Sequence, residues 1–195
     1  MAHDDVGTDD EILVVAAILG DLAAFDELVI RYRPAVIRTA QTIVSRDDVE
    51  DVAQDALLLA FKALPSLEEL NKFPAWLNAI TRRCALRFSQ QAQLRSRGRV
   101  ALDEVILEQV HALSRPMPED GVDAELQSAL MNIPKDYALA LRLHFIDEMP
   151  LKRIAGFLGA SLTTVKWRIH RGKKLLRAQF KVLGERRKPW KKKKK

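Results

Sequence analysis

The chain has 195 residues, with 32 Lys/Arg against 26 Asp/Glu for a net charge of +6. That length suits one large domain or two small ones, no apolar run reaches the roughly 20 residues of a membrane helix, and the acidic start (Asp4, Asp5, Asp9, Asp10, Glu11) excludes a signal or transit peptide, so a cytoplasmic protein is expected. Charge alternates along the chain, at −9 over residues 1–80, +6 over 81–100, −6 over 101–134 and +15 over 135–195, which predicts protein contact through the front and nucleic-acid contact through the two basic blocks.

Glycine and proline are few and helical periodicity dominates, so the expected class is all-α: two small helical domains joined by a flexible acidic linker. Thr8 and Glu11 form a possible capping box for a helix over Asp9–Leu19. Gly20-Asp21 breaks it, and Asp21 can cap a second helix with Leu22, Phe25, Leu28, Val29 and Tyr32 in helical register. Pro34 should bend or restart that helix. Asp47 with Glu50 offers another capping box, for a helix running to about Leu64. A fourth helix begins near Glu68 and carries the apolar stripe Phe73, Trp76, Leu77, Ile80, Cys84 and Phe88. Cys84, the lone cysteine, reads as a buried structural thiol; it excludes an internal disulfide, and no Cys/His spacing suits zinc.

From about Gln93 to Gly121 the rhythm weakens, with a short helix expected at Leu102–Leu113 and a Pro-rich stretch at Arg115–Gly121. The expected boundaries are 1–95 for the first domain, 96–122 for the linker, 123–184 for the second domain and 185–195 for a lysine-rich tail. In the second domain, Leu151–His170 reads as a helix-turn-helix. Ile154, Ala155 and Leu158 give the first helix an apolar face. Gly159 tolerates the positive φ of a tight turn. Ser161 can cap the next helix, whose buried stripe is Val165 and Ile169. Thr163, Thr164, Lys166, Trp167, Arg168 and Arg171 are then either the residues a recognition helix turns toward a major groove or the solvated basic face of an ordinary helical hairpin.

Two other faces carry chemistry. On the third helix Val49, Val52, Ala53, Ala56 and Ala60 point one way, and Asp51, Gln54, Asp55, Leu58 and Lys62 the other. The second set is either a solvated acidic face or a protein-binding one. On the fourth helix Lys72, Asn78, Arg82 and Arg83 lie off the core stripe, where phosphate contact is possible. No nucleophile, acid–base pair or metal constellation is present, so neither catalysis nor a cofactor is expected.

The front half reads GDLAAFDELVIRYRPAVIRTAQTIVSRDDVEDVAQDALLLAFKAL, then FPAWLNAITRRCALRF. It resembles the extracytoplasmic-function (ECF) sigma factors of bacterial RNA polymerase at Gly20, Asp21, Ala24, Phe25, Arg31, Tyr32, Asp51, Gln54, Asp55 and Phe61 and through the Phe-x-x-Trp-Leu-x-x-Ile segment. The back half is similar to the family's helix-turn-helix domain at Ile154-Ala155, Leu158-Gly159, Thr164-Val165-Lys166 and His170-Arg171-Gly172. The resemblance implies that Asp51, Gln54, Asp55, Leu58 and Phe61 bind the β′ clamp of core polymerase. It implies that Lys72, Asn78, Arg82, Arg83 and Arg87 engage the −10 promoter element. It implies that Ser161, Thr163, Thr164, Lys166, Trp167, Arg168, Arg171 and Lys173 engage the −35 element beside the β flap, and that an anti-sigma protein is a further partner. Arg83, Arg87 and Gln90 stand where the family usually has Asn, Asp and Arg, and Trp167 where a small polar residue is common. The rival readings are a sigma-like decoy that binds an anti-sigma protein but no promoter, and a stand-alone helix-turn-helix regulator.

Overall fold

The computed structural model describes residues 6–97 and 124–186, with side chains from 10 to 94 and 125 to 180. Among these every regular element is helical: α1 Val6–Ile18, α2 Leu22–Ala40, α3 Val49–Ala63, α4 Phe73–Arg97, α5 Ala124–Met131, α6 Lys135–Phe145, α7 Leu151–Leu158 and α8 Leu162–Arg186, with 3-10 turns at Arg46–Asp48, Leu64–Ser66 and Leu70–Lys72. The helix expected at Leu102–Leu113 and the lysine tail lie outside the described residues.

Local chemistry sets the element ends. Asp21 Oδ1 accepts from the Ala23 and Ala24 amides at 2.9 and 3.2 Å, holding the exposed donors of α2's first turn. Two capping boxes do not form. Helix α1 starts at Val6, which puts Thr8 inside its first turn. Ahead of α3, Asp48 rather than Asp47 is the cap residue; its carboxylate takes the Ser45 hydroxyl, while Glu50 is drawn off to Arg33 at 2.7 Å.

Pro34 does not restart α2, which runs continuously from Leu22 to Ala40 with the proline inside it. Proline removes the hydrogen bond to the carbonyl of Ile30, four residues back. Ile30 lies on the solvent side of the helix, where water can take that carbonyl. The opposite side is held by burial of Leu28, Tyr32, Ala35, Val36 and Thr39.

The front half is α1–α4. Its core gathers Val14, Leu28, Tyr32, Val36, Ala56, Ala60, Leu64, Phe73 and Leu77, and a satellite of Ala40, Val49, Val52 and Ala85 closes the far end. All five alanines and valines expected to face inward from α3 are buried. In the back half Leu139, Leu141 and Leu143 on α6 pack with Ile154, Val165 and Ile169. Gly159 adopts φ +58°, ψ +36° between α7 and α8, a left-handed conformation that a residue with a Cβ adopts only with strain. The Ser161 hydroxyl then accepts the Thr164 amide at 3.1 Å, as expected of a cap.

The halves are in contact, and the hydrophobic core is continuous across them. Helix α7 lies against α4 and α1, and α6 against α2. Phe157 on α7 is fully buried and stacks on Tyr32 of α2, with centroids 6.0 Å apart and 21° between planes.

Candidate protein and nucleic-acid interfaces

Helix α3 separates cleanly by face. Asp51, Gln54, Asp55, Leu58, Phe61 and Lys62 are all exposed, so the five residues expected to meet a protein partner share one accessible surface. Of these, Gln54, Leu58 and Phe61 line an open groove of about 600 Å³ between α2 and α3, together with Leu22, Phe25, Val29 and Leu57. Phe61 is 39% exposed and Leu58 50%. Phe61 is held edge-on against Phe25 at 4.9 Å between centroids, which fixes its ring in a geometry aromatic pairs favour. Asp26 and Glu50 also line the groove, so carboxylates and apolar side chains share its surface.

Helix α4 presents Arg82, Arg83 and Arg87 to solvent, and with Ala79, Leu86 and Gln90 they line a shallow groove of about 480 Å³. The three arginines fall within about one and a half turns of α4, a concentration of positive charge of the kind that phosphate contacts use. The other two residues expected here behave differently. Lys72 is exposed but paired with Glu69 at 2.6 Å. Asn78 is half-buried, and its Oδ1 lies 3.4 Å from the Thr39 hydroxyl as acceptor, so the fold holds it toward α2. Cys84 sits partly buried against the core, in line with a structural thiol. Burial pushes its thiol above the usual range and the Asp55 charge adds to that, while Arg87 and Arg83 oppose; the unreactive protonated form is favoured.

At the start and along the first half of α8 the side chains of Ser161, Thr163, Lys166, Trp167, Arg171 and Lys173 are all exposed. Trp167 is 55% exposed, with its ring edge against Tyr137 at 5.7 Å; it is an apolar plate presented to solvent. Lys173 Nζ lies 4.4 Å above the Phe145 ring. Two expected readers are less free. Thr164 shares its hydroxyl with Ser161 at 2.8 Å and belongs to the cap. Arg168 is a quarter exposed, with Asp136 3.8 Å away.

Sequence reasoning assigned no contact to Asp10, Arg38, Asp147, Arg153 or Phe157. Arg38 meets Asp147 through two bonds of 3.0 and 3.1 Å across the two halves. Asp10 is buried and receives Arg31 at 2.9 Å and the Tyr32 hydroxyl. Burial pushes the Tyr32 phenol well above its ordinary range, the Asp10 charge and hydrogen bond add to it, and Arg153 opposes. The one available signal was Phe157, an aromatic off the apolar stripe of its own helix.

The Sigma-70 region 2 family model matches residues 28–99, and the Sigma-70 region 4 model matches residues 123–176. The chain belongs to the sigma-70 family, in its ECF branch. The ECF sigma factor SigE of Mycolicibacterium smegmatis is 31% identical over 169 residues, covering 81% of this chain and 63% of that protein. SigW of Bacillus subtilis is 26% identical over 84% of this chain and 92% of its own length, and the sigma-E factor of Escherichia coli K12 is 29% identical over 86% and 92%. Among solved structures, CnrH in complex with the cytosolic domain of CnrY matches with a TM-score of 0.55 and 27% identity, over 89% of this chain and 98% of that one. A sigma factor directs RNA polymerase to promoters, so core polymerase and promoter DNA are its partners. The matches favour that function over a decoy or a stand-alone regulator. No described helix is long and apolar enough to cross a membrane.

Proposed function

We propose that this sigma factor divides its work by face. The domain boundaries are 1–95 and 123–184, joined by residues 96–122. The α3 face of Asp51, Gln54, Asp55, Leu58 and Phe61 docks on the β′ clamp of core polymerase. The α4 arginines Arg82, Arg83 and Arg87, with Lys72, engage the −10 element. The α8 surface of Ser161, Thr163, Lys166, Trp167, Arg171 and Lys173 engages the −35 element, with Thr164 acting through the cap and Arg168 once it swings from Asp136. An anti-sigma protein is a further partner, a reading supported by the likeness to CnrH held by a second protein. The sigma factor performs no catalysis of its own and works in the cytoplasm.

The observation that carries this reading is the coincidence of charge with exposure: the acidic–apolar surface on α3 and the basic surfaces on α4 and α8 are all solvent-facing and lie on different helices. Arg83 and Arg87 give α4 more positive charge than the family pattern supplies, which raises phosphate affinity relative to base selectivity. The test is the double substitution Asp51→Arg/Asp55→Arg. It should weaken binding to core polymerase by tenfold or more while leaving binding of the chain to −35 duplex DNA within about twofold, the scale of swapping rim charges at an interface. Core binding within about twofold of wild type would remove α3 as the docking face, whereas equal loss in both assays would mark a misfolded variant.

A further inference from the structure

We propose that the cavity between the end of α2 and the α5–α6 pair is a binding site for a small amphipathic oxyanion, an apolar body ending in a carboxylate or phosphate. The site goes beyond the promoter-directing reading and uses none of the residues that face polymerase or DNA in it. Its volume is about 320 Å³, on the scale of small-molecule sites and far more than one water needs. Arg38 lines it from near the end of α2, and Val44 and Arg46 from the connection to α3. Gln127 and Leu130 line it from α5. Lys135, Ala138, Leu139 and Arg142 line it from α6, at the i, i+3, i+4, i+7 spacing that keeps side chains on one helix face.

The lining combines an apolar wall with polar groups of one sign. Val49, Leu130, Ile133 and Leu139 are buried core residues, a surface that favours an aliphatic or aromatic body over water. Arg38, Arg46, Lys135 and Arg142 stand around them, and among the described residues no Asp or Glu lines the cavity. Asp147 offsets Arg38 through bonds of 3.0 and 3.1 Å. Lys135 meets a carbonyl rather than a carboxylate: its Nζ donates to Thr42 O at 2.5 Å, one of the three donors an ammonium carries. A concave wall lined by one sign of charge concentrates ions of the other. Gln127 is the independent sign of a ligand. It is only 3% exposed, yet its Nε2 has no hydrogen-bond partner. A buried donor left unpaired is costly and rare. The terminal torsion of glutamine is soft, so the amide can turn an N–H toward an oxyanion in the cavity. The cations disfavour a positive ligand and the apolar wall disfavours a bare inorganic anion. Together they select a molecule that has both an anionic head and an apolar body.

The test titrates the full chain with decanoate and with decyl phosphate, by isothermal calorimetry and methyl NMR. Decanol, decyltrimethylammonium and inorganic phosphate are the controls. At least one of the two oxyanions should bind saturably and about tenfold or more tighter than any control, the scale of one charge-assisted hydrogen bond. The tighter of the two assigns the head group as carboxylate or phosphate. The methyl shifts should centre on Leu130, Ile133 and Leu139, which line the cavity. Gln127→Leu removes a buried unpaired donor, so this variant should fold at least as stably as the wild type and bind about threefold or more weakly, as loss of one neutral hydrogen bond implies. Ala138→Phe places a ring in the cavity that Ala138 lines and should abolish binding with helix content retained. Absence of saturable binding by both oxyanions would overturn the site. So would decanol or inorganic phosphate binding as tightly as they do, methyl shifts centred elsewhere, or an affinity unchanged in both variants.

Discussion

Tyr32 shows how one residue joins function-bearing halves and records pH. Its phenol is buried, bonded to the Asp10 carboxylate and stacked on Phe157. Because its folded pKa is raised above the ordinary 10.0, the stabilisation is fully present below pH 10. Above that the unfolded chain releases the proton first, so stability falls as pH rises. Chemical denaturation at pH 9 and pH 11 should show a loss for the wild type that Tyr32→Phe reduces; an equal loss in both would remove Tyr32 as its source. On α8, Lys166 is exposed, and its ammonium is a donor-only point charge suited to a phosphate. Lys166→Ala should weaken −35 DNA across sequences alike and flatten the log–log salt dependence by about 0.9, one counterion's worth. An unchanged salt slope in fluorescence anisotropy would take Lys166 off the phosphate backbone.

Helices in this protein are placed by faces more than by propensity. Helix α3 was legible because short apolar residues recur on one side and carboxylates on the other, and all landed as the period demands. The turn of the helix-turn-helix was legible because Gly159 and Ser161 each meet a specific backbone need. Helix starts were less so, since Ser45, Asp47, Asp48 and Glu50 offer competing partners and tertiary contact with Arg33 chose among them. Gly172 marks where α8 crosses α6: a Cβ there would stand 3.0 Å from Leu141 Cδ1 and 3.3 Å from Tyr137 Cβ. Gly172→Ala gains about 1 kcal/mol in helix propensity but over-packs a buried leucine, a strain of about 1–3 kcal/mol. A net loss of about 1 kcal/mol is expected in urea unfolding, and a gain would show that Leu141 can yield.

At the scale of the whole molecule, what the sequence concealed was the meeting of its halves. Periodicity reports that a face is apolar or charged, and says nothing of which distant face covers it. Arg38 and Asp147, separated by 109 positions, look like ordinary surface charges in the sequence, and Asp10 like one more acid in an acidic start. The exposed faces proposed to meet polymerase and DNA were legible as acidic–apolar or basic surfaces because accessible surfaces keep the character of their own helix. Asn78 and Thr164 are the exceptions, since each is drawn into a hydrogen bond with a neighbour.

The central claim is that this chain gives RNA polymerase its promoter choice. Purified protein should be mixed with core polymerase and genomic DNA fragments, and transcript starts mapped by run-off sequencing. Discrete starts that share upstream −35 and −10 sequences, lost with Asp51→Arg/Asp55→Arg, are the predicted result. Tight core binding with starts no more discrete than those of core polymerase alone would contradict it.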